Sequence, residues 1–391
     1  MQRLVGRRRF LRGVGAVAVL GTLDGCRFTR GTSGTNATRL QLSPLRASID
    51  RITRITVCTR PFRAQGPRLD VEKVGTKTVV HNYGHGGSGW SLSWGSGAIA
   101  TANAMATGEH DIAVIGCGAL GLTTALLLQR AGARVTIYAK DLPPNVRSSF
   151  ATGLYSPSSR ICLEEHATAA FKHTWEQMAR QSFETYQSFL ALPGTPVEFI
   201  DTYSVSDDAP DRRRSSEPDG RPAFAQLEEE LIPDLFPRGV DFEPGSHSLG
   251  HRYLQRDTVL MFNLTAYTRT LLTDFRANGG KIEIAEFHTP GELSRLKEKT
   301  LVNSTGYGAR ALFSDQSIIP VRGQLARTIP QADVSYGLSY RSVGLVPRRD
   351  GLVFQVTGES EYYGYNDETE VPDRAEAERA VNTIASLFVA A

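Results

Sequence analysis

Cysteine is scarce in this sequence, with four cysteines in 391 residues. Cys26, Cys58, Cys117 and Cys162 form no CxxC pair and follow no regular spacing. Disulfide-rich scaffolds and structural zinc sites both need closely spaced cysteines, so the sequence argues against these two classes. No metal site is predicted.

An excess of charge of one sign is also missing. The formal net charge is +3, and residues 1–30 contain seven arginines against one acid, Asp24. That segment accounts for +6 and leaves about −3 for the rest of the chain. Proteins that bind nucleic acid usually present a basic surface, so the sequence indicates no nucleic-acid partner.

Hydrophobic runs long enough to span a bilayer do not occur near the N-terminus. The apolar stretch at residues 14–23 is about half as long as a membrane-spanning helix requires. Arginines precede it and small residues follow it, which predicts a signal peptide over residues 1–30. The segment RRRFLR at residues 7–12 is typical of twin-arginine signals, which direct folded proteins across the inner membrane.

The end of this segment leaves two alternatives for the mature N-terminus. LDGC at residues 23–26 resembles a lipoprotein box, in which Cys26 would carry the lipid, although Asp24 is a poor residue for that motif. We therefore expect an exported protein that is either periplasmic or attached to the membrane surface, with the twin-arginine export machinery as a partner. Residues 31–51, rich in Ser, Thr, Gly and Arg, are interpreted as a linker.

A glycine-rich βαβ opening is present at residues 111–140. DIAVI at 111–115 predicts a buried strand, GCGALG at 116–121 satisfies GxGxxG, an apolar helix follows, and ARVTIYAK predicts the second strand. In this context the glycines make the turn, admit a pyrophosphate and let the helix pack on the strand, while the helix N-terminus attracts the phosphates. Lys140 occupies the usual place of the ribose-binding acid and Asp141 follows it, so Asp141 is a candidate for the ribose and Lys140 for a phosphate.

The remaining pattern predicts a mixed α/β protein. Helices are expected at 96–107, 171–192 and 264–280 and at the C-terminus, and a polar loop at 207–222. Strands are expected from Ile52, on both sides of a turn near Gly75, after Pro196, and at 299–303, 318–328 and 344–358.

A second glycine-rich segment, VVHNYGHGGSGWSLSWG at residues 79–95, contains five glycines. Glycine has no Cβ, so such a run lets the main chain approach a ligand closely. The segment is therefore interpreted as part of a ligand site. His81 and His85 within it invite a metal or acid–base interpretation, whereas the family resemblance described next implies packing and hydrogen-bonding roles.

Together these segments resemble the D-amino-acid oxidase family of FAD-dependent oxidoreductases, from about Arg54 to the end of the chain. The resemblance is carried by TRPFRAQGPRL (59–69), HNYGHGGSG (81–89), GCGALG (116–121), YAKDLPP (138–144), ATGLYSP (151–157), LVNSTGYGAR (301–310) and PVRGQ (320–324). In the family the first two motifs lie near the C-terminus, whereas here they precede the dinucleotide motif. The chain therefore resembles a circularly permuted member, which is physically possible because domain termini often lie close together.

The resemblance implies a Rossmann-like FAD-binding domain and a substrate domain with a large mixed β-sheet. The first is assigned to residues 52–160 and 290–327, and the second to 161–289 and 328–391. The resemblance also implies that the second glycine-rich segment, residues 79–95, lies against the flavin. The implied FAD-binding residues are Gly86, Ser88, Gly89, Trp90, Ser91, Gly116, Gly118, Ala119, Leu120, Gly121, Lys140, Asp141, Ser148, Ser149, Gly153, Leu154, Thr305 and Gly306.

The implied reaction is oxidative deamination of a D-amino acid to a 2-oxo acid and ammonia, with hydride transfer to flavin N5. Arg60 aligns with the arginine that binds the substrate carboxylate, a role that suits the planar fork of a guanidinium. Tyr340 aligns with a tyrosine that adds a hydrogen bond to the same carboxylate, and the Gly87 carbonyl would accept one from the amine. No protein base is required, because positioning supplies most of the catalysis. Oxygen, giving hydrogen peroxide, and a quinone both remain open as the electron acceptor.

Several departures put the substrate preference in doubt. Gly344 stands where the family has a second tyrosine, Phe354-Gln355-Val356 replaces a glycine-rich strand, and Tyr155 replaces a tryptophan. Arg341 or Arg348 could offer positive charge to an acidic side chain. A secondary-amine or sarcosine-type oxidase or dehydrogenase, and a flavin-binding protein without turnover, therefore stay as alternatives.

Overall fold

Two β-sheets and seven α-helices make up the described part of the chain, residues 39–209 and 220–388, in this computed structural model. The smaller sheet has six strands in the order β2-β3-β10-β4-β5-β9. Its strands are β2 (Val71–Val74), β3 (Lys77–His81), β4 (Asp111–Ile115), β5 (Arg134–Ala139), β9 (Lys281–Ile284) and β10 (Thr300–Asn303). All neighbours run parallel except β2 and β3.

The larger sheet has eight strands in the order β1-β11-β14-β13-β12-β6-β8-β7. Only the β12–β6 pair is parallel. The strands are β1 (Ile52–Arg63), β6 (Val197–Ser206), β7 (Val240–Phe242), β8 (Tyr253–Phe262), β11 (Ile318–Thr328), β12 (Gly337–Tyr340), β13 (Val343–Arg348) and β14 (Gly351–Val356).

The helices cover the sheets and carry the buried side chains that join them. They are α1 (Ser93–Met105), α2 (Ala119–Arg130), α3 (Ala169–Gln187), α4 (Glu228–Leu231), α5 (Leu264–Ala277), α6 (Ala309–Leu312) and α7 (Arg374–Ala385). Thr168 caps α3 and Asp373 caps α7, each accepting a hydrogen bond from a backbone N–H in the first turn. None of the helices in the described ranges is both long and apolar enough to cross a membrane.

The βαβ unit forms as the sequence predicts, because every signal for it is local. The strand predicted at 111–115 is β4 with the same bounds, and the helix and second strand follow as α2 and β5. Buried residues occupy both faces of β4 from Ile112 onward and of β10, as expected for parallel strands covered by helices. The predicted helices at 171–192 and 264–280 are confirmed as α3 and α5, and the strand at 318–328 is β11.

Two features of domain organisation differ from the prediction. Residues 52–63 and 318–327 were assigned to the FAD-binding domain, but β1 and β11 pair antiparallel at the edge of the larger sheet, with Arg60 opposite Val321. Such a long-range pairing leaves no local signal in one sequence. The fold is nevertheless mixed α/β with a Rossmann-like unit and a large mixed sheet.

The predicted linker over residues 31–51 is also shorter than expected. From Arg39 onward the chain packs on the larger sheet, where Leu42 and Leu45 are each only 8% exposed. The Leu40 N–H donates to the Ser246 carbonyl at 3.0 Å. Residues 1–38, with the predicted signal peptide and Cys26, lie outside the described residues, as do residues 210–219 of the predicted polar loop.

Candidate functional site

A cavity of about 740 Å³ joins the carboxyl ends of the parallel strands to the edge of the larger sheet at β1. Parallel α/β sheets bind ligands at this end, so its position fits the predicted cofactor site. The cavity is lined by 57–61, 85–87, 89–90, 115–120, 138–141, 145–148, 150–152, 156, 159–160, 285–288, 304–308, 311–312, 323, 325, 355–357, 363 and 370.

The N-terminus of α2 opens into this cavity. Gly118 is its N-cap and offers no side-chain cap, and the first turn contains no acidic residue. One amide is satisfied, since the Ala119 N–H donates to the Ser148 hydroxyl at 3.1 Å. The helix therefore presents the positive end of its dipole to the cavity, which favours a bound anion.

Two glycines of the GxGxxG motif are required by close packing. Gly116 has φ +108°, and a Cβ there would lie 2.5 Å from the Ser304 carbonyl oxygen. A Cβ on Gly121 would lie 2.1 Å from the Gly116 carbonyl oxygen. These close approaches are those expected of the tight turn and of a helix packed directly on its strand.

The end of β5 places Lys140 and Asp141, the residues predicted to contact a phosphate and the ribose, at the cavity. Lys140 Nζ lies 3.3 Å from a Glu286 carboxylate oxygen, and both side chains are about half exposed. An exposed ion pair of this kind is weak, so the lysine can exchange partners easily. Glu286, which follows β9, was not predicted because nothing local links β9 to this edge.

The second glycine-rich segment forms a wall made mainly of backbone. Gly86 has φ +55°, and a Cβ there would meet the Arg160 carbonyl oxygen at 1.9 Å. A Cβ on Gly87 would lie 2.3 Å from Ser159 Oγ, and the Gly87 N–H donates to the Ser159 carbonyl at 2.9 Å. Gly89 differs, because a Cβ there would meet nothing within 4 Å in the described chain. Gly89 also lines the cavity.

Trp90 links this wall to Ser148, which contacts the N-terminus of α2. Its indole Nε1–H donates to the Ser148 carbonyl at 2.7 Å, and its own carbonyl accepts a hydrogen bond from the Tyr186 hydroxyl. The ring also packs edge-on against Tyr267 with centroids 5.4 Å apart. These contacts fix the segment between β3 and α1.

The two histidines of the segment have different surroundings. Asn303 Nδ2 lies 3.1 Å from His81 Nδ1, and a Glu72 oxygen lies 3.2 Å from His81 Nε2. His85 is 1% exposed and lines the cavity, yet neither ring nitrogen has a partner within the described ranges. Burial lowers the pKa of His85 to about 3, so its imidazole is neutral. No cluster of three metal-binding side chains occurs in the part of the chain described.

Arg60, predicted to bind the substrate carboxylate, lines the cavity. The side chain projects from β1 and covers Gly323, where a Cβ would come within 2.4 Å of Nη2. Its Nη1 donates to the Arg322 carbonyl at 3.2 Å, and the guanidinium lines the cavity. Within residues 39–209 and 220–388, no carboxylate approaches Arg60 to 4 Å.

Tyr340 lies elsewhere, which corrects the prediction that it binds the substrate carboxylate. It is 2% exposed and does not line the cavity. Its hydroxyl donates to Asp207, with the carboxylate oxygens at 2.9 and 3.1 Å. The loop after β6 supplies this partner, which the local pattern around Tyr340 does not reveal. The tyrosines that line the cavity are Tyr138, Tyr307 and Tyr363.

Most of the predicted FAD-binding residues, together with Gly87, line the cavity. The others pack behind the residues that line it. Those that line it are Gly86, Gly87, Gly89, Trp90, Gly116, Gly118, Ala119, Leu120, Lys140, Asp141, Ser148, Thr305 and Gly306. Those that do not line it are Ser88, Ser91, Gly121, Ser149, Gly153 and Leu154.

Two of the residues that do not line the cavity, Ser88 and Ser91, form hydrogen bonds to the neighbouring turn. The Ser88 hydroxyl donates to the Ser159 carbonyl at 3.0 Å, and the Ser91 hydroxyl accepts from the Ser156 N–H at 2.8 Å. Both bonds hold the turn at residues 156–160 against the glycine-rich segment.

Of the arginines considered for an acidic substrate, neither reaches the cavity. Arg341 forms an exposed ion pair with Asp207 at 2.7 Å, and Arg348 is buried against Asp350 at 2.7 Å. The structure brings a different arginine there, Arg160, which sequence reasoning missed. Its place depends on contacts with Gly86, far away in sequence, so no local signal identifies it.

Comparison with known proteins agrees with this geometry. A sequence profile described as "FAD dependent oxidoreductase" matches residues 111–390. The chain belongs to this FAD-dependent oxidoreductase family. Its cofactor is FAD.

The FAD-dependent oxidoreductase also has curated relatives. It is 25% identical to a D-amino-acid oxidase from Dictyostelium discoideum over 71% of this chain and 72% of that protein. It is 28% identical to a D-amino-acid oxidase from Rubrobacter xylanophilus over 70% of this chain and 76% of that protein. Among solved structures, an iminodiacetate oxidase from Chelativorans sp. BNC1 is similar with a TM-score of 0.49 and 13% identity, covering 72% of this chain and 80% of that one.

The cavity of this oxidoreductase fits FAD on three structural grounds. The α2 N-terminus would hold the pyrophosphate through backbone amides, with the adenosine towards Lys140, Asp141 and Glu286. Buried His85 lines the cavity, and both of its ring nitrogens are without a hydrogen-bond partner in the described residues, whereas buried polar atoms usually have one. The open side of Gly89 leaves room for a flat ring against bare backbone.

Proposed function

We propose that this protein oxidises D-amino acids with FAD, giving a 2-oxo acid and ammonia. The observation that carries the proposal is Arg60, a guanidinium at the cavity wall without a carboxylate partner in the described chain. Its hydrogen bond to the Arg322 carbonyl and its contact with Gly323 fix its orientation. A positioned guanidinium binds a carboxylate through two parallel hydrogen bonds, which suits the α-carboxylate of an amino acid.

The glycine-rich wall would receive the substrate amine. The Gly87 N–H is already bonded to Ser159, and its carbonyl accepts no hydrogen bond from the residues that the structure describes. That carbonyl is therefore available to an amine N–H. With the carboxylate at Arg60 and the amine at Gly87, the Cα hydrogen has one fixed direction, and this sets the configuration of the substrate.

Bound FAD would supply the two-electron oxidant, and the substrate Cα–H bond would break with loss of a hydride to it. The amine nitrogen lone pair forms the imine, a proton passes to solvent, and water converts the imine to the 2-oxo acid and ammonia. The chain needs no general base for these steps, and neutral His85 with a pKa of about 3 is a poor one. Positioning by Arg60 and Gly87 supplies the catalysis.

Anaerobic mixing of the purified holoenzyme with D- and L-amino acids tests the proposal. We expect loss of the oxidised flavin absorbance with D-amino acids and not with their L-isomers. Arg60→Ala should raise KM by roughly 100-fold while FAD stays bound, because two charge-assisted hydrogen bonds are lost. Arg134→Ala is the matched control, since Arg134 pairs with Asp111 and does not line the cavity.

Other outcomes of the same experiment would favour the alternative functions. Flavin reduction by sarcosine but by no D-amino acid indicates a secondary-amine oxidase or dehydrogenase. Bound flavin that no amine reduces indicates a flavoprotein without turnover. The electron acceptor is identified by reoxidising the reduced enzyme in two ways. Rapid reoxidation by oxygen with release of hydrogen peroxide indicates oxygen, and rapid reoxidation by a soluble quinone under nitrogen indicates a quinone.

We also propose that the chain is a circular permutation of the family arrangement. The profile match begins at residue 111, and residues 106–110 alone connect α1 to β4. In the family arrangement the segment that contains β1 would follow α7 directly, so the two should be close in space. A hydrogen bond joins them, since Arg374 Nη2 donates to the Ile49 carbonyl at 3.2 Å. Moving residues 39–110 behind the C-terminus with a short linker should give a folded protein that binds FAD. Loss of FAD binding in that chain would contradict the proposal.

Export by the twin-arginine route remains a proposal that rests on residues 1–30. Changing Arg8 and Arg9 to lysine should retain the protein inside the cell, whereas the unchanged chain should appear outside the inner membrane. Mass spectrometry of the mature N-terminus distinguishes simple cleavage from a lipid on Cys26.

A further inference from the structure

Arg160 places a second guanidinium at the cavity, close enough to Arg60 for the two positive charges to interact. It lies in the turn that packs on the glycine-rich wall, with φ +48°. Its Nε–H donates to the Glu361 carbonyl at 2.6 Å, which holds the side chain in place. No hydrogen bond to its two terminal nitrogens is found among residues 39–209 and 220–388. The guanidinium is therefore anchored at one edge and open at the other.

The surroundings of Arg160 leave its positive charge poorly compensated. Burial, together with the positive charge of Arg60, lowers the pKa of Arg160 to about 10, with Glu361 acting in the opposite direction. No carboxylate in the described chain comes within 4 Å of it. Glu361 instead accepts a hydrogen bond from Gln226 at 2.8 Å. Arg160 remains protonated at neutral pH.

The acidic residues that line the cavity do not change this balance. Glu286 lies 3.3 Å from Lys140, and Glu370 pairs with Arg147 at 2.5 Å. Asp141 follows β5, at the end assigned to the adenosine. Two partly buried guanidinium groups that share one cavity repel each other, and anions bound to both would relieve that repulsion.

We propose that the preferred substrate is a D-amino acid with a second carboxylate on its side chain, which the open edge of Arg160 binds while Arg60 binds the α-carboxylate. This inference rests on the proposed D-amino-acid oxidation. A guanidinium edge matches a carboxylate by paired N–H···O bonds, and an uncharged amide side chain cannot accept both of them. Arg160 then determines specificity, and Arg60 determines orientation.

The kinetic test compares acidic substrates with their neutral counterparts. The holoenzyme should show a higher kcat/KM for D-aspartate or D-glutamate than for D-asparagine or D-glutamine. Arg160→Gln should lower kcat/KM for the acidic pair by roughly 10- to 100-fold, because charge-assisted hydrogen bonds are lost. For the amides the change should stay within about threefold.

Arg341→Gln is a matched control. Arg341 also has positive φ, at +45°, and forms its ion pair outside the cavity. Arg160→Asn serves as a second variant, because asparagine tolerates the left-handed conformation better than glutamine does. Flavin content and melting temperature of both Arg160 variants should match those of the unchanged protein.

Binding without turnover gives an independent measurement. Succinate should bind the oxidised holoenzyme more tightly than butyrate in isothermal titration calorimetry, and Arg160→Gln should abolish that difference while Arg341→Gln keeps it. Equal succinate affinity in the Arg160 variant overturns the inference. Efficient oxidation of neutral D-amino acids without preference for acidic ones also overturns it but leaves the proposed function standing. If no D-amino acid reduces the flavin while succinate binding depends on Arg160, the proposed function fails and the dicarboxylate site remains.

Discussion

The Cα of Gly121 on α2 lies against the Gly116 carbonyl oxygen, so closely that a Cβ would come within 2.1 Å of it. This contact sets the separation between the helix and β4. It also sets where the amides at the α2 N-terminus stand relative to the cavity.

Gly121→Ala should therefore push α2 away from β4. We expect a loss of about 2 kcal/mol or more in the free energy of unfolding, as for other overpacked sites, and weaker FAD binding. Urea denaturation and FAD titration of the apoprotein measure the two effects. Gly291→Ala is the control, because its Cβ would meet only Thr289 Oγ1 at 3.9 Å. A Gly121 variant as stable as this control would contradict the assignment.

Gly89→Val separates cofactor binding from folding. Nothing in the described chain lies within 4 Å of a Cβ at this position, so the apoprotein should keep its melting temperature to within about 2 °C. FAD affinity should fall at least about tenfold, because the valine would occupy the space assigned to the ring. Gly291→Val, at a position that does not line the cavity and where a Cβ would meet only Thr289 Oγ1 at 3.9 Å, should bind FAD normally. Normal FAD affinity in the Gly89 variant would show that the ring lies elsewhere.

The buried imidazole of His85 should make stability fall in acid. Its pKa is lowered from 6.5 to about 3 by burial, so between these values the unfolded chain binds a proton that the folded chain does not. Stability contributed in this way is complete above pH 6.5 and is lost as pH falls towards 3. From pH 7 to pH 5 the loss is about 2 kcal/mol.

His85→Asn removes this titration and should flatten the pH dependence by that amount, measured as urea midpoints at pH 7 and pH 5. The same loss on acidification in the unchanged protein and the His85 variant would refute a buried neutral imidazole.

The ion pair between Arg322 and Glu376 should anchor α7 to the larger sheet. Arg322 Nη1 lies 2.9 Å from a Glu376 oxygen, and the two residues are 8% and 4% exposed. Glu376→Gln leaves a buried arginine without its charge partner, which should cost about 3 kcal/mol in unfolding free energy. Glu378→Gln should cost at most about 0.5 kcal/mol, because its pair with Arg374 is largely exposed. If Glu376→Gln lowers the unfolding free energy no more than Glu378→Gln does, the buried pair does not anchor α7.

Tyr340→Phe tests the corrected position of that tyrosine. Its hydroxyl bonds Asp207 and lies outside the cavity, so KM for the best D-amino acid should change by less than about twofold. Steady-state kinetics under the conditions used for Arg60→Ala provide the comparison. A KM that rises as much as in the Arg60 variant would restore the role predicted from sequence.

The features that could be predicted from the sequence are those determined by residues close together in the chain. The βαβ unit depends on a strand, a glycine turn and a helix that follow one another directly, and β4 has the predicted bounds. The glycine-rich wall could be predicted for the same reason, because bare backbone over residues 84–89 has few other uses. Local sequence pattern alone does not assign a role to Arg60. That role was predicted from the resemblance of the motif around Arg60 to the D-amino-acid oxidase family.

The remaining site residues depend on contacts between distant segments. Tyr340 was assigned to the substrate, but Asp207 from the loop after β6 accepts its hydrogen bond. Arg160 was missed because Gly86 and Glu361, on two other segments, fix it at the cavity. Such tertiary contacts leave no periodicity or spacing in a single sequence.

The pairing of β1 with β11 has a consequence for synthesis of the chain. Arg60 faces Val321 across this ladder, so a ribosome adding about 5–20 residues per second needs on the order of 13–50 s to deliver the partner strand. During that interval the twelve-residue β1 is left with an open edge. Nascent products that end before residue 318 should therefore aggregate instead of accumulating as soluble fragments.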